Sequence, residues 1–207
     1  MHKHNKLNKQ GIVDNDAQKF YIVPNALPDH DYHRAICDLD RLKHEWVRSN
    51  TPWRRGCAIG GHGLREACSG NWLGYLQSQK FMARVREATG LESLQYVPVE
   101  DTNRLSLLLY EGEDGGDGID WHVDGSIYLG QRWAGILVLI EDNREDFAKL
   151  ELQPNLVTTT LPKSNMVNSL VLFQGDHVRH RVRPMLDGEE RIVLSLLFSC
   201  LLYTSPS

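Results

Sequence analysis

Residues 169–184 read Ser169-Leu170-Val171-Leu172-Phe173-Gln174-Gly175-Asp176-His177-Val178-Arg179-His180-Arg181-Val182-Arg183-Pro184. A continuous apolar run is followed by a Gly-Asp turn and by a run in which valine alternates with basic side chains. This order predicts two consecutive strands, the second with one face in a core. Six similar runs precede or follow them at intervals of about ten residues. They are Arg104–Glu111, Ile119–Asp124, Ala134–Glu141, Lys149–Gln153, Leu156–Leu161 and Arg191–Ser199.

The N-terminal part of the chain has a different periodicity. Residues 29–49 carry apolar side chains at near-helical spacing, and a second helix is expected from a cap at Asn71 to Gly90. The glycine- and arginine-rich residues 50–70 show no period and are expected to form a long loop. We therefore predict one mainly β domain with N-terminal helices (α+β). Residues 1–93 are expected to form helical support and a substrate loop, residues 94–199 a sandwich or barrel core, and residues 200–207 a tail.

Composition excludes several classes of function. The 207 residues suit one domain, and a net charge of −4 gives no basic excess for binding nucleic acid. There is no apolar run of about 18 residues, so no membrane span is expected. The N-terminus has no apolar signal core, and the four cysteines lie far apart without a CxxC pair. We expect free thiols and a cytoplasmic location; the sequence does not indicate an oligomeric state.

Two side chains that ligate metals lie close together in the run before residue 125. In a strand, residues two apart point to the same face, so His122 and Asp124 are expected to project together. By itself the HxD pair is equally compatible with a surface histidine beside a solvated aspartate.

Strand alternation separates the two histidines of the quoted stretch. His180 shares its face with Val178 and Val182, whereas His177 shares its face with arginines that should lie in water. His180 is therefore the candidate ligand, although a hydrogen-bonded core histidine is the ordinary alternative. Two histidines and one carboxylate with open positions are typical of non-haem Fe(II) oxygenases.

The sequence resembles the 2-oxoglutarate-dependent Fe(II) dioxygenase superfamily. The resemblance lies in His122-Val123-Asp124, in His180-Arg181-Val182-Arg183-Pro184 and in a basic residue about ten positions later, Arg191. It implies a double-stranded β-helix (a cupin-like jelly roll), with Fe(II) as the metal, 2-oxoglutarate as cosubstrate and O2 as oxidant.

The resemblance also implies roles for further residues. Arg191 can face the barrel interior and clamp the distal carboxylate of 2-oxoglutarate; a surface salt bridge is the alternative. Tyr110 is a second candidate for the cosubstrate, and otherwise a core tyrosine. The implied reaction couples oxidative decarboxylation of 2-oxoglutarate to C–H oxidation. Because Asp124 fills the carboxylate position that halogen-transferring relatives leave small, hydroxylation is favoured over halogenation. Desaturation and ring formation stay open, since they depend on how the substrate is placed.

The substrate is less defined by the sequence. A compact, acidic chain favours a small-molecule substrate such as a free amino acid. Candidate substrate contacts are Trp53, Arg54, Arg55, Asp120 and Trp121, each of which also has an ordinary structural interpretation. Two rivals stay open: a hydroxylase of protein side chains of the prolyl type, and a non-catalytic metal-binding jelly roll that recognises a ligand.

Overall fold

The computed structural model describes residues 20–68, 72–125 and 130–200. Within these residues the chain forms a largely antiparallel β structure with four helices. The strands are β1 (Phe20–Val23), β2 (Val47–Thr51), β3 (Arg54–Gly60), β4 (Leu94–Tyr96), β5 (Leu105–Glu111), β6 (Gly118–His122), β7 (Gln131–Asp142), β8 (Phe147–Gln153), β9 (Thr159–Pro162), β10 (Leu170–Gln174), β11 (Arg179–Val182) and β12 (Glu190–Cys200). The helices are α1 (Asp29–Arg41), α2 (Gly61–Ala67), α3 (Trp72–Leu76) and α4 (Gln79–Thr89).

The strands join into one curled sheet. Their order is β1-β10-β7-β12-β5-β3-β6-β11-β8-β9, with β2 added to β3 and β4 added to β12. Every pairing is antiparallel. Because β3 pairs with both β5 and β6, it connects the half of the sheet that contains β12 to the half that contains β11.

Both faces of the central strands are buried, each in its own core. Leu194 in β12 belongs to the core that the sheet forms with Trp72 of α3 and Phe81 of α4. Its neighbour Val193 belongs to a second core, which includes Leu150 of β8. Successive side chains of a strand point to opposite faces, so the helices cover one face and the curled sheet encloses the other. This explains why β10 is buried along its whole length and is apolar from Leu170 to Phe173.

Helix ends in the N-terminal part follow local signals. The Ser78 hydroxyl accepts a hydrogen bond from the Phe81 backbone N–H at 3.2 Å, which caps α4, and Gly90 ends it with a φ of 70°. The second predicted helix is wrong as a single element, because the structure divides it into α3 and α4 with a break at residues 77–78. Its predicted end at Gly90 is confirmed, whereas its predicted cap at Asn71 lies outside the described residues. The first helix, predicted for residues 29–49, is shorter in the structure, because α1 ends at Arg41 and β2 begins at Val47.

The long loop predicted for residues 50–70 is wrong. The hairpin of β2 and β3 and the helix α2 occupy most of it. Because β2 is largely exposed, no buried face imposes an apolar period on its sequence. The sheet therefore takes three strands from the segment 1–93 that was expected to be helical support, and Cys200, assigned to the tail, is the last residue of β12.

The four cysteines are free, as predicted. The cytoplasmic location inferred from them stays a prediction. Among the described residues, no helix is long and apolar enough to cross a membrane.

Leu194 offers a test of the helix-facing core. It is fully buried in β12, the strand that pairs with both β5 and β7. Leu194→Ala should lower the free energy of unfolding by about 2–5 kcal/mol, because it removes buried apolar contacts and leaves a cavity. The measurement is urea denaturation. Val157→Ala, at a side chain that is 70% exposed, should change the same quantity by less than about 0.5 kcal/mol. Equal effects of the two changes would contradict the assigned core.

Candidate metal centre and its cavity

Three predicted ligands converge at one end of β6. His122 ends that strand, Asp124 follows two residues later, and His180 lies on β11 directly opposite His122. Asp124 Oδ1 is 3.9 Å from His122 Nε2 and 3.8 Å from His180 Nε2. The ligand atoms of all three residues lie within 4.8 Å of one another. A single metal ion between them can therefore contact two imidazoles and one carboxylate.

Backbone carbonyls fix the tautomers of both histidines. His122 Nδ1 is 2.8 Å from the carbonyl oxygen of Asp120, and His180 Nδ1 is 3.0 Å from that of Val178. A carbonyl oxygen only accepts, so each Nδ1 must carry the proton and donate it. The lone pair of each Nε2 is then directed at the site, as metal ligation requires.

Burial keeps His180 in the neutral form. Its side chain packs against Phe173, with the ring centroids 4.6 Å apart. Burial, and then the neighbouring His122, lowers the pKa of His180 to about 4. His177 differs in every respect: its side chain is exposed, and its Nδ1 contacts Asp176 at 2.9 Å. The structure thus places His180 in the site and His177 outside it.

A β-bulge in β6 allows two of its residues to face the same cavity. His180 pairs with His122, but Val182, two residues further along β11, pairs with Ile119, three residues back along β6. The extra residue in β6 breaks the alternation. As a result Ile119 and His122 both line the cavity.

A close backbone approach sets the position of Asp124. Its N–H donates to the carbonyl oxygen of Gly175 at 2.8 Å. A Cβ atom at Gly175 would collide with the Asp124 carboxylate. Glycine at this position therefore allows the ligand to lie against the turn between β10 and β11.

Arg132, at the start of β7, is a site residue that the sequence reasoning missed. Its Nε lies 3.6 Å from Asp124 Oδ2, and its Nη1 donates to the carbonyl oxygen of Gly125. Both contacts hold the segment that carries Asp124. No local pattern in the sequence indicates this role, because it depends on where β7 begins relative to the end of β6.

A cavity of about 380 Å³ opens from the three ligands into the interior of the curled sheet. Arg191 lines it with 1% of its surface exposed, and its Nη1 donates to Glu141 on β7. That carboxylate also accepts from Asn143 Nδ2 at 3.0 Å and from the Lys149 backbone N–H at 2.8 Å. The predicted inward direction of Arg191 is observed, and its glutamate partner is buried rather than on the surface.

Tyr110 lies beside Arg191 in the cavity wall. The two residues are directly paired between β5 and β12, and Tyr110 is 2% exposed. Burial raises the pKa of its hydroxyl, while the positive charges of Arg54 and Arg191 act in the opposite direction. The hydroxyl is therefore protonated at neutral pH and available as a hydrogen-bond donor in the cavity.

The five predicted substrate contacts are divided between three places. Arg54 lines the main cavity. Trp53, Arg55 and Asp120 line an adjoining pocket of about 230 Å³, which also includes Arg54. The Trp121 ring lies on the outer face of β6, where the guanidinium of Arg181 stacks over it at 4.7 Å. Trp121 therefore does not border the cavity as predicted, because its neighbour His122 takes the inner face.

The choice between the two histidines can be tested by metal binding. His180→Ala should abolish Fe(II) binding in anaerobic isothermal titration calorimetry, because it removes one of three ligands. His177→Ala should leave the affinity unchanged, since that side chain points to solvent. Loss of binding in the His177 variant together with binding in the His180 variant would contradict the assignment.

Gly175 provides a test of how Asp124 is placed. Gly175→Ala should weaken Fe(II) binding by about tenfold, as is usual for residues that support a ligand. The reason is the collision of the new Cβ with the Asp124 carboxylate. Gly74→Ala in α3 is the matched control, because a Cβ there meets no atom within 4 Å. The prediction fails if both variants bind metal equally well.

Comparison with known proteins identifies the fold. No protein-family model matches the sequence, and no curated protein matches it. Similar solved structures include the non-heme alpha ketoglutarate dependent epimerase SnoN from nogalamycin biosynthesis (TM-score 0.66, 15% identity, 88% of this chain and 78% of that chain). A prolyl hydroxylase from Trichoplax adhaerens, in complex with a hypoxia inducible factor oxygen degradation domain peptide fragment, has a TM-score of 0.64 at 18% identity, over 88% of this chain and 84% of that chain.

An oxidoreductase of the 2OG-Fe(II) oxygenase family from Burkholderia pseudomallei is similar to the same degree. Its TM-score is 0.64 at 12% identity, over 87% of this chain and 85% of that chain. The predicted fold class, mainly β with N-terminal helices, is confirmed. The chain has the jelly-roll fold of the 2-oxoglutarate- and Fe(II)-dependent oxygenases, and the resemblance seen in the sequence is confirmed at the level of that fold.

Proposed function

We propose that this protein is a 2-oxoglutarate-dependent Fe(II) oxygenase that hydroxylates an unactivated C–H bond of a small molecule, a free amino acid or a related metabolite. The observation that carries the proposal is the group His122, Asp124 and His180 at one cavity that also contains the buried Arg191. Three ligands alone would suit many metal sites, and a buried arginine alone would suit an ordinary core ion pair. Together they match the metal and the cosubstrate of this class of enzyme.

The donor set fits iron. Two neutral imidazoles and one carboxylate occupy one side of a metal and leave positions open, which is the arrangement of non-haem Fe(II) oxygenases. The cavity also fits a carboxylate, since the buried Arg191 Nε has no hydrogen-bond partner among the described residues. When bound, Fe(II) would activate O2, and 2-oxoglutarate would supply two of the four electrons that O2 accepts, being converted to succinate and CO2.

The chain's own residues position these groups and exclude water. Backbone carbonyls hold the two imidazoles, Arg132 holds the Asp124 segment, and Glu141 holds Arg191. The cavity wall includes apolar side chains, among them Leu150 and Phe173. Such a wall suits the C–H-bearing part of a substrate and protects the reaction from solvent. Asp124 occupies the third ligand position, which favours hydroxylation over halide transfer.

The size of the cavity supports a small substrate. Its volume of about 380 Å³ is near the lower end of the range of about 300–1,000 Å³ usual for ligand pockets. The cosubstrate takes part of that space. Trp53, Arg55 and Asp120 remain candidate substrate contacts through the adjoining pocket.

Hydroxylation of a protein side chain is the second candidate. The solved prolyl hydroxylase that shares this fold holds a peptide. In the present chain, Trp53 is 70% exposed beside the adjoining pocket, where it is available to a partner that lies outside the cavity. In this case only the reacting side chain would enter the cavity.

The test of the proposed function begins with the cofactors. Adding Fe(II) and 2-oxoglutarate without O2 should produce the visible charge-transfer absorption of the chelate, and O2 should then yield succinate. Asp124→Ala should abolish both signals, and His177→Ala should retain them. Absence of both signals in the unmodified protein would sink the oxygenase proposal.

A substrate screen separates the two candidates. The enzyme is incubated with Fe(II), 2-oxoglutarate, O2 and either pooled free amino acids or a library of proline-containing peptides. A mass gain of one oxygen in the free amino acids supports the small-molecule function. A gain confined to the peptides contradicts it and favours the second candidate.

A further inference from the structure

Three arginines line the cavity: Arg54, Arg132 and Arg191. Arg132 is ion-paired with Asp124, whereas Arg54 and Arg191 each lack a complete set of partners. In each, the Nε atom is buried and has no hydrogen-bond partner among the described residues. Buried guanidinium donors are normally satisfied, so both arginines can accommodate a further acceptor.

The positive charge of Arg191 is already balanced within the protein. Its Nη1 donates to Glu141, whose side chain is fully buried. This pair fixes the direction of the guanidinium but has no net charge. An incoming carboxylate would meet the carboxylate of Glu141 as well as the guanidinium, so Arg191 alone offers it little net attraction.

Arg54 has no such partner. Among the described residues, none of the ion pairs involves Arg54. The acid Asp117 is fully buried and is bound by Arg48 at 2.7 Å. Arg54 therefore contributes an uncompensated positive charge to the cavity.

Tyr110 connects the two arginines. Gly56, with a φ of 154°, lets β3 approach β5 so closely that a Cβ at this position would lie 2.9 Å from the Leu109 carbonyl oxygen and 3.2 Å from the Tyr110 ring. Arg54 is two residues before Gly56. Arg191 is directly paired with Tyr110 between β5 and β12, and Arg54 lines the same cavity, so the three groups lie around the same part of it.

Strand register places Arg54 away from the metal ligands. Arg54 pairs with Ile119, near the start of β6, whereas His122 is the last residue of that strand. A ligand that reaches from the metal to this end of the cavity must carry an anionic group at its far end. The distal carboxylate of 2-oxoglutarate meets that requirement.

We propose that Arg54 is a second cosubstrate-binding cation, which shares the distal carboxylate of 2-oxoglutarate with Arg191 and Tyr110. This inference rests on the proposed function and replaces the expectation that Arg54 contacts the substrate. Arg191, held by Glu141, supplies the geometry of the contact. Arg54 supplies the net charge that retains the anion.

Direct binding tests this assignment without catalysis. The full chain is loaded with Mn(II), which replaces the iron without supporting turnover, and titrated with 2-oxoglutarate or with 2-oxobutanoate. The second compound has the same metal-chelating group but no distal carboxylate. Arg54→Gln should weaken 2-oxoglutarate binding by about 10- to 100-fold, as expected for a lost hydrogen bond to a charged group. It should leave 2-oxobutanoate binding unchanged.

Control variants separate this effect from misfolding. Arg54→Lys keeps the charge and should recover most of the lost affinity, and Arg34→Gln, at an exposed position in α1, should have no effect. Unchanged 2-oxoglutarate affinity in a folded Arg54→Gln variant overturns the inference but not the proposed function. If the unmodified Mn(II)-loaded protein binds neither compound, the proposed function fails as well.

A double variant tests the division of charge. Glu141→Gln frees the charge of Arg191, so adding it to Arg54→Gln should raise the 2-oxoglutarate affinity above that of Arg54→Gln alone. A further loss of affinity in the double variant would show that net charge is not what Arg54 supplies, and would overturn that part of the inference.

Discussion

The antiparallel pairing of β6 with β11 is the contact on which the candidate site depends. Its register puts His180 opposite His122, and its bulge directs both Ile119 and His122 into the cavity. Shifting one strand by a single residue would turn its ligand to the outer face. The neighbouring strands restrict such a shift, because β8 pairs with β11 and β3 pairs with β6.

The charged side chains that line the cavity are held in position by other protein groups. Glu141 and Arg191 face each other across the pairing of β7 with β12, and the burial of both makes their ion pair costly to separate. The metal end of the cavity is organised in a similar way, since Arg132 contacts Asp124 and backbone carbonyls orient the imidazoles. Polar groups held in this manner lose little freedom on binding, which favours affinity.

Local patterns in the sequence were sufficient for the metal ligands and for most of the strands after residue 94. The alternation that separates His180 from His177 is a property of a few consecutive residues, and the structure shows the same alternation.

The hairpin of β2 and β3 was missed because no local pattern in the sequence indicates it. β2 is exposed, and β3 is a strand because it pairs with β5 and β6. Arg132 and Glu141 were missed for the same reason, since their roles come from which strands become neighbours. Trp121 was predicted on the wrong face of β6. Because its neighbour His122 points into the cavity, strand alternation directs Trp121 to the outer face.

The distance along the chain between the two histidines has a consequence for how the protein acquires metal. His122 and Asp124 are neighbours in the sequence, but His180 reaches them only when β11 has paired with β6. An unfolded or growing chain therefore brings at most two of the three candidate ligands together. A metal ion bound by all three would load after folding, and it would stabilise the folded sheet over the open chain, because only the folded form would bind it tightly.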